Sequence, residues 1–232
     1  MYLLIPAAGS GRRMGADRNK LLLPLLGEPI LAWTLRAAAA AQSIDWIGVI
    51  AQPVDVPEFE AIAAALNLSK PVVFIPGGAT RQESVHNGLR SLPPEADRVL
   101  IHDGARCLAT PDLFDRCSAA LETERGLIAA IAVKDTIKVV GADRRVEATP
   151  DRAKLWAAQT PQGFEVATLR ECHDRGRTEG WEVTDDAALF ERCGLPVAIV
   201  EGEETNLKVT TPQDLAIGEF ILRQRGHSGA SS

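Results

Sequence analysis

Short apolar runs along the chain alternate with longer segments in which apolar residues recur at helical spacing. The runs are apolar at nearly every position rather than at every second one, which is typical of strands buried on both faces. Six such runs are predicted strands, at 2–5, 46–51, 72–75, 99–101, 127–132 and 197–200. Helices are predicted at about 30–42, 57–67, 81–91, 110–123, 165–178, 185–192 and 212–225. The alternation predicts an α/β fold with a doubly wound, mostly parallel sheet.

Start and stop signals support several of these helices. Thr110 and Thr211 each precede a proline, which places a capping hydroxyl at N-cap and proline at the first helical position. Thr184, followed by two aspartates, is predicted to cap the helix at 185–192, and Gly194 suits its carboxyl end.

One segment departs from the α/β alternation. Residues 137–140 and 145–149 flank the turn Gly-Ala-Asp-Arg at 141–144, a pattern that predicts a β-hairpin. Because an isolated hairpin is marginally stable in water, we expect a protruding arm, at about 134–154, that packs against a second subunit.

The remaining organisation is simple. The 232 residues are enough for one α/β domain, and no internal repeat divides them. We therefore predict a single domain over 1–225, followed by a small-residue, polar tail at 226–232 that is expected to be disordered.

Charge and cysteine usage narrow the class of protein. The net charge of -6 argues against general binding to nucleic acid or to a membrane surface, because both need basic faces. Cys107, Cys117, Cys172 and Cys193 show no paired or zinc-like spacing. The first apolar run stops at Pro6, and no apolar stretch approaches the roughly 20 residues that span a bilayer. We expect a cytoplasmic protein with reduced thiols.

The strongest candidate site is the Gly-rich segment 6–15, PAAGSGRRMG, which follows the first predicted strand. It is not a P-loop, and its third glycine arrives one position too late for G-x-G-x-x-G, which argues against a dehydrogenase. Its small residues allow close backbone approach beside Arg12, Arg13 and Lys20, an arrangement that suits a triphosphate. The alternative is a flexible loop with solvated charges, but two arginines directly after a Gly-rich turn favour binding.

A second candidate is IHDGAR, at 101–106, because Asp103 comes just past the end of a strand. There its carboxylate could hold Mg²⁺ against phosphates. Arg106 could pair with a phosphate or fix a loop, and His102 is expected to pack or hydrogen-bond locally. The alternative is an ordinary strand-end turn, since Asp-Gly is a common turn dipeptide.

A third candidate is GGATRQESVHNG, at 77–88, where Arg81 and Ser84 lie near a helix start that could approach a base or a phosphate. A capped helix with surface charges is an equal alternative. Thr136, Arg152 and Lys208 lie at element boundaries, and taken singly each fits a turn or a solvated charge.

Taken together, these motifs resemble the 2-C-methyl-D-erythritol 4-phosphate cytidylyltransferase family over about 3–225. The motifs that carry the resemblance are PAAGSGRRMG, GGATRQESVHNGL, HDGAR, VKDTIK, LWAAQTPQGF, TDDA and NLKVTTPQDL. The Gly-rich segment alone would indicate only the wider nucleotidyltransferase superfamily, with its Rossmann-like fold. The resemblance implies a homodimer that uses Mg²⁺, joins CMP from CTP to the sugar-alcohol phosphate and releases pyrophosphate.

The resemblance also implies roles for individual residues. It assigns triphosphate binding to Ala7, Ala8, Gly9 and Gly11, transition-state charge to Arg13 and Lys20, and the cytosine and ribose side to Gly78 and Ser84. It places Asp103 near the metal, Arg106 near the nucleotide and Lys208 near the reacting phosphates. It assigns the sugar phosphate to Thr136 and Arg152 on the partner's arm.

Some positions depart from the family pattern, and two other functions stay open. Gly104, Cys107 and Ala188 stand where the family commonly has Ala, Pro and Ser, which puts local loop geometry in question but removes no catalytic charge. One alternative function is cytidylyl transfer to another polyol phosphate, such as ribitol 5-phosphate. The other is a non-catalytic, nucleotide-binding regulator.

Overall fold

The computed structural model describes residues 1–9 and 18–228. In chain order the strands are β1 (Tyr2–Pro6), β2 (Pro24–Leu25), β3 (Glu28–Pro29), β4 (Trp46–Ala51), β5 (Val72–Pro76), β6 (Arg98–Ile101), β7 (Gly126–Ala132), β8 (Val139–Val140), β9 (Val146–Ala148), β10 (Trp156–Glu165) and β11 (Ala198–Glu201). The α-helices are α1 (Ile30–Ala40), α2 (Val56–Leu66), α3 (Arg81–Arg90), α4 (Pro111–Ala120), α5 (Val166–Thr178), α6 (Asp186–Arg192) and α7 (Pro212–Ser228).

The described residues form a central sheet in the order β11-β7-β10-β6-β1-β4-β5. Neighbouring strands are parallel except at β10, which runs antiparallel to both β6 and β7. Because side chains alternate across a strand, Leu3 and Ile5 enter one core while Leu4 enters the other. The first core packs under α1 and α4, and the second under α3, α5 and α6. The predicted α/β fold, doubly wound about a mostly parallel sheet, is confirmed.

The six predicted strands and seven predicted helices all occur, with ends shifted by at most one residue in the strands and three in the helices. The prediction missed β10, because its sequence turns polar at Gln159, Thr160 and Gln162. These side chains are buried and hydrogen-bonded. Pro161 lies where the pairing with β7 shifts register, one of the few places where a sheet accepts proline.

Most predicted helix signals occur, with one correction. The Thr110 and Thr211 hydroxyls accept the amides three residues later, both at 3.3 Å. Thr184 is not the cap of α6. The helix begins one residue later than predicted, so Asp185 is at N-cap, and its carboxylate accepts the Ala188 amide at 3.1 Å. Gly194 follows this helix with φ +76°, the left-handed conformation that glycine adopts readily.

The predicted hairpin is confirmed as the separate two-stranded sheet of β8 and β9. Its turn closes through the Gly141 amide, which donates to the Arg145 carbonyl at 2.9 Å. Val139, Val140 and Val146 are 44%, 51% and 60% exposed, so the arm carries apolar surface that its own chain leaves uncovered.

The carboxyl end differs from the predicted boundary. Helix α7 continues to Ser228, so residues 226–228 are helical rather than part of a tail, while 229–232 lie outside the described residues. No helix in the described part of the chain is long and apolar enough to cross a membrane. All four cysteines are free thiols, as expected.

Candidate active site

A cleft of about 730 Å³ opens at the carboxyl edge of the sheet. Strands β1, β4 and β6 are parallel, so the loops that follow them meet at this edge, where ligands of doubly wound folds bind. The amino end of α3, together with Lys208 and Thr210, completes the walls. The predicted site residues that line it are Ala7, Ala8, Gly9, Lys20, Gly78, Ser84, Asp103 and Lys208. Gly11 and Arg13 lie outside the described residues.

The loop after β1 passes close to the loop before α3. The Ala7 amide extends the pairing with β4 by donating to the Ile50 carbonyl at 2.7 Å. A Cβ added to Gly77 would lie 2.6 Å from the Ala8 Cβ, so the two loops can pass at this distance only because residue 77 is glycine. The loop after β1 and the loop before α3 therefore form one continuous wall of the cleft.

The start of α3 is braced by its own side chains. The Ser84 hydroxyl accepts the Gly78 amide at 3.0 Å and donates to the Thr80 carbonyl at 2.8 Å. The Thr80 hydroxyl caps the helix by accepting the Glu83 amide at 3.1 Å. Because Ser84 is only 3% exposed, it shapes the turn more than it offers a free hydroxyl. This braced turn forms part of the wall of the cleft.

Three cations surround Asp103. The Lys208 ammonium lies 2.7 Å from its carboxylate, and the Arg81 and Arg106 guanidinium groups lie at 3.8 and 3.9 Å. Burial alone would raise the pKa of Asp103, but Lys208, and after it Arg81 and Arg106, lower that pKa to about 2. The carboxylate is therefore anionic at neutral pH, in a cleft whose nearby charge is positive.

Arg81 also lines the cleft, a position that the sequence motif around it did not by itself assign. Its guanidinium donates to the Asp186 carboxylate at 2.8 Å, and Asp186 is 1% exposed. The second carboxylate oxygen of Asp186 faces the His173 ring at 3.1 Å. Burial would raise the pKa of Asp186, but Arg81 and then His173 lower it. The sequence feature that could have indicated this ion pair is the pair of aspartates in TDDA. Asp185 caps the helix, so the carboxylate of Asp186 can pair with a cation elsewhere in the fold.

Lys20 lies in the same region of the cleft, although it is far from Lys208 in sequence. It begins a 3-10 turn at Lys20–Leu22, and its ammonium donates to the Val209 carbonyl at 3.1 Å. Val209 directly follows Lys208, so the fold brings two lysines that are far apart in sequence to one wall.

Arg106 lies beside Asp103 but does not line the cleft. Its guanidinium donates to the Asn206 carbonyl at 2.8 Å and to the Ala158 carbonyl at 3.3 Å. It thereby ties β10 to the segment that precedes Lys208, which corresponds to the loop-fixing alternative considered from the sequence.

His102 packs and hydrogen-bonds locally, as expected from the sequence. It is fully buried, with ring nitrogens 3.1 Å from the Arg106 carbonyl and 3.0 Å from the Thr160 hydroxyl. Burial lowers its pKa to about 4, so it is neutral at pH 7. The Thr160 hydroxyl in turn accepts the Asp103 amide at 3.0 Å, so this histidine supports the turn that presents Asp103.

Thr136 and Arg152 are exposed and lie outside the cleft of their own chain. Arg152 begins a 3-10 turn at the base of the arm, where its guanidinium donates to the Lys134 carbonyl at 2.6 Å.

Donor chemistry indicates which metal the cleft could accept. Within 1–9 and 18–228, no group of three or more His, Cys, Asp or Glu side chains could hold a metal ion. Asp103 offers one ionised carboxylate in a cleft with room for phosphates. This set fits Mg²⁺, which is commonly bound by one or two carboxylates together with substrate phosphates.

Comparison with known proteins identifies close relatives. The family model "IspD: 2-C-methyl-D-erythritol 4-phosphate cytidylyltransferase" matches residues 1–224. The chain is 67% identical over 225 residues to the 2-C-methyl-D-erythritol 4-phosphate cytidylyltransferase of Crocosphaera subtropica, covering 97% of this chain and 99% of the relative. It is 68% identical over 230 residues to the protein of that name from Synechococcus elongatus, covering 99% of each.

Solved structures agree with the sequence comparison. The 4-diphosphocytidyl-2C-methyl-D-erythritol synthase of Anaerococcus prevotii matches with a TM-score of 0.86 and 30% identity, over 96% of this chain and 97% of the other. The 2-C-methyl-D-erythritol 4-phosphate cytidylyltransferase of Thermus thermophilus matches with a TM-score of 0.76 and 34% identity, over 95% and 98%.

Proposed function

This chain belongs to the 2-C-methyl-D-erythritol 4-phosphate cytidylyltransferase family, and we propose that the cleft at the carboxyl edge of its sheet is the active site. The enzyme transfers CMP from CTP to 2-C-methyl-D-erythritol 4-phosphate in the isoprenoid pathway. The products are 4-CDP-2-C-methyl-D-erythritol and pyrophosphate. One observation carries the site assignment: Lys208 and Arg81 pair with a single ionised carboxylate, Asp103, in a cleft that Lys20 also lines and whose walls contain several glycines.

The chemistry requires no general base. An oxygen of the substrate's phosphate attacks the α-phosphorus of CTP, a new P–O bond forms, and the bond from that phosphorus to the bridging oxygen breaks. Pyrophosphate leaves with the electron pair. A phosphate dianion is already nucleophilic, which agrees with a His102 that is neutral, buried and engaged in hydrogen bonds. Catalysis therefore consists of positioning and electrostatic stabilisation.

Each wall of the cleft contributes to these two effects. Ala8 and Gly9 offer backbone N–H groups to the triphosphate, and Ala7, whose own N–H donates to the Ile50 carbonyl, offers a small side chain beside it. Gly11 is assigned to the same triphosphate. Gly78 and the Ser84-braced turn take the cytidine side. Lys20, together with Arg13 of the Gly-rich segment, neutralises charge that builds at the α-phosphate. Arg106 supports the nucleotide site through the loops that it joins.

Lys208 and Arg81 differ in how firmly they are held. Arg81 is fixed from behind by the buried carboxylate of Asp186. Lys208 is 39% exposed, and its ammonium pairs with Asp103 at the cleft wall. We propose that Lys208 turns from Asp103 towards the reacting phosphates when the nucleotide binds.

Asp103 would hold Mg²⁺ together with the triphosphate. The bound ion would supply positive charge to the phosphate oxygens and orient them. The chain prepares this site by keeping Asp103 ionised, through Lys208 and Arg81, and by fixing its backbone amide on the Thr160 hydroxyl.

The arm completes the site in a homodimer. Thr136 and Arg152 lie outside the cleft of their own chain, and the arm exposes apolar side chains. We propose that the arm packs on a second copy and brings both residues to the sugar phosphate there, in a cytoplasmic enzyme.

The test is pyrophosphate release by the purified protein with Mg²⁺, CTP and 2-C-methyl-D-erythritol 4-phosphate. Ribitol 5-phosphate and the other three nucleoside triphosphates serve as matched alternatives. Release with CTP and the methylerythritol phosphate alone is the expected result. Release with ribitol 5-phosphate instead would identify that polyol phosphate as the substrate. CTP binding without any turnover would favour a non-catalytic, nucleotide-binding regulator.

A further inference from the structure

Asn19 lies next to Lys20 in the wall of the cleft and is only 4% exposed. Its side-chain amide uses its donors and its acceptor in three hydrogen bonds. The nitrogen donates to the Ala7 carbonyl at 2.7 Å and to the Asp55 carboxylate at 2.8 Å. The oxygen accepts the Leu21 amide at 3.1 Å.

The three partners belong to three different parts of the fold. Ala7 follows β1, Asp55 precedes α2, and Leu21 lies in the 3-10 turn. Asp55 stands at the N-cap of α2 without making a side-chain capping bond, so its carboxylate is directed towards Asn19 instead. One amide thus links the end of a central strand, the start of a helix and the turn that carries Lys20.

These links join the start of the Gly-rich segment to the residues that follow it. Ala7 lies within that segment and Asn19 lies after it, 12 residues apart in the chain. Beyond Asn19, Leu21 and Leu22 are 2% and 6% exposed and pack into the core. The backbone of Lys20 is therefore fixed on both sides, by an amide network before it and by apolar burial after it.

We propose that Asn19 is a positioning residue that sets Lys20 at the phosphates. The inference rests on the proposed role of Lys20 and goes beyond it. It assigns the correct placement of the Lys20 ammonium to a neighbouring residue that touches no substrate. Aspartate would keep the oxygen for Leu21, lose both N–H donors and place a second carboxylate beside Asp55. Alanine would lose all three hydrogen bonds.

The experiment combines Asn19→Ala with Lys20→Ala in a double-mutant cycle. We expect Asn19→Ala to lower kcat about 10- to 100-fold, the effect of displacing a catalytic group by about 1 Å. The Kd of CTP should change less than about 3-fold, because the glycine-rich walls remain. If Asn19 acts through Lys20, the double variant should be no slower than Lys20→Ala alone. Asn87→Ala, an asparagine outside the cleft whose amide donates to the Pro76 carbonyl, should keep wild-type kcat.

Thermal melting of each variant shows whether a loss of kcat comes from misfolding of the protein or from misplacement of Lys20 in a folded protein. Where Asn19→Ala does not fold, Asn19→Asp takes its place, because it keeps the size and the bond to Leu21. Wild-type kcat in the folded Asn19 variant, beside an impaired Lys20→Ala, would overturn the inference and leave the proposed function intact. So would independent, multiplicative losses in the double variant. Near-normal turnover in Lys20→Ala would instead remove the proposed role of Lys20, and the inference with it.

Discussion

At the scale of single residues, the chemistry of the cleft depends on the balance of charge around Asp103. One carboxylate faces one lysine and two arginines, so the wall keeps a net positive charge that suits a triphosphate. The three cations are not equivalent. Arg81 is tied to Asp186 and Arg106 to backbone carbonyls, whereas Lys208 pairs with Asp103 alone among the contacts described for its ammonium.

This difference predicts that Lys208 matters for turnover more than for folding. Loss of a donor aimed at developing charge typically costs about 10²–10³ in kcat. We expect Lys208→Ala to lose at least about 100-fold in kcat. The free energy of unfolding should change by less than about 1 kcal/mol, because partly exposed ion pairs contribute little.

Steady-state kinetics and urea unfolding check this prediction. Lys70→Ala is the matched control, since it removes an ammonium outside the cleft and should leave kcat near wild type. Wild-type kcat in Lys208→Ala would show that its ammonium only balances the charge of Asp103.

At the scale of elements, β10 connects the cleft to the distal part of the chain. The Gln159 amide donates to the Glu203 carbonyl at 2.9 Å, and its oxygen accepts from Asn206 at 3.1 Å. The Gln162 amide donates to Asp185 at the start of α6 at 2.8 Å. The polar residues that kept β10 from being predicted as a strand are thus the ones that hold Lys208 and α6 near the cleft.

The junction of α3, α5 and α6 depends on a buried charge. We expect Asp186→Asn to lower the free energy of unfolding by about 2–4 kcal/mol, because it removes the buried anion that is hydrogen-bonded to the Arg81 guanidinium and leaves only the more distant Asp103. The pKa of Asp186 is lowered in the folded state, so its contribution is present above the unfolded pKa and is lost as pH falls below it. The variant should therefore lose less stability than the wild type on acidification below about pH 4.

Chemical unfolding between pH 3 and pH 7 measures both effects. Glu179→Gln breaks an exposed pair with Arg175 and should cost less than about 0.5 kcal/mol, which makes it a matched control. Equal losses in the two variants would mean that burial of Asp186 does not strengthen its pairing.

At the scale of the whole molecule, one chain leaves its cleft without the residues proposed to hold the sugar phosphate. Thr136 and Arg152 are exposed on and beside the arm, and their own cleft lies elsewhere. If the arm of a second copy supplies them, each active site contains residues from two chains.

A shared site predicts complementation between two inactive variants. Lys20→Ala damages the nucleotide side and Arg152→Ala the sugar-phosphate side, so a mixed dimer contains one site with neither change. We expect verified heterodimers to recover up to about half of wild-type kcat, whereas each homodimer stays impaired. Arg152→Ala alone should chiefly raise KM for the methylerythritol phosphate and leave CTP affinity little changed.

Differential tagging isolates the mixed dimers, and pyrophosphate release measures their activity. Mixed dimers of Lys20→Ala with Lys208→Ala are the control, because both residues lie in the cleft of one chain. Each site of that mixed dimer then carries one change, and no activity should be recovered. If the Arg152 pair recovers no more activity than this control, Arg152 acts within its own chain and the shared site is contradicted.

The sequence by itself determined the alternation of strands and helices, the hairpin and the position of the Gly-rich segment. These follow from local causes: apolar periodicity, capping residues and turn chemistry act over a few positions. It also pointed to Asp103, Lys20 and Lys208 as separate signals, whose joint function came from the family resemblance.

Only the tertiary structure decided which of these residues meet and which partners hold them. The pairing of Lys208 with Asp103, and of Arg81 with Asp186, joins positions about 105 residues apart, and no local pattern encodes such distances. Strand β10 and the amide of Asn19 were missed for the same reason. A buried polar residue is stable only where the fold supplies its partners, so its role can be seen only once those partners are in place.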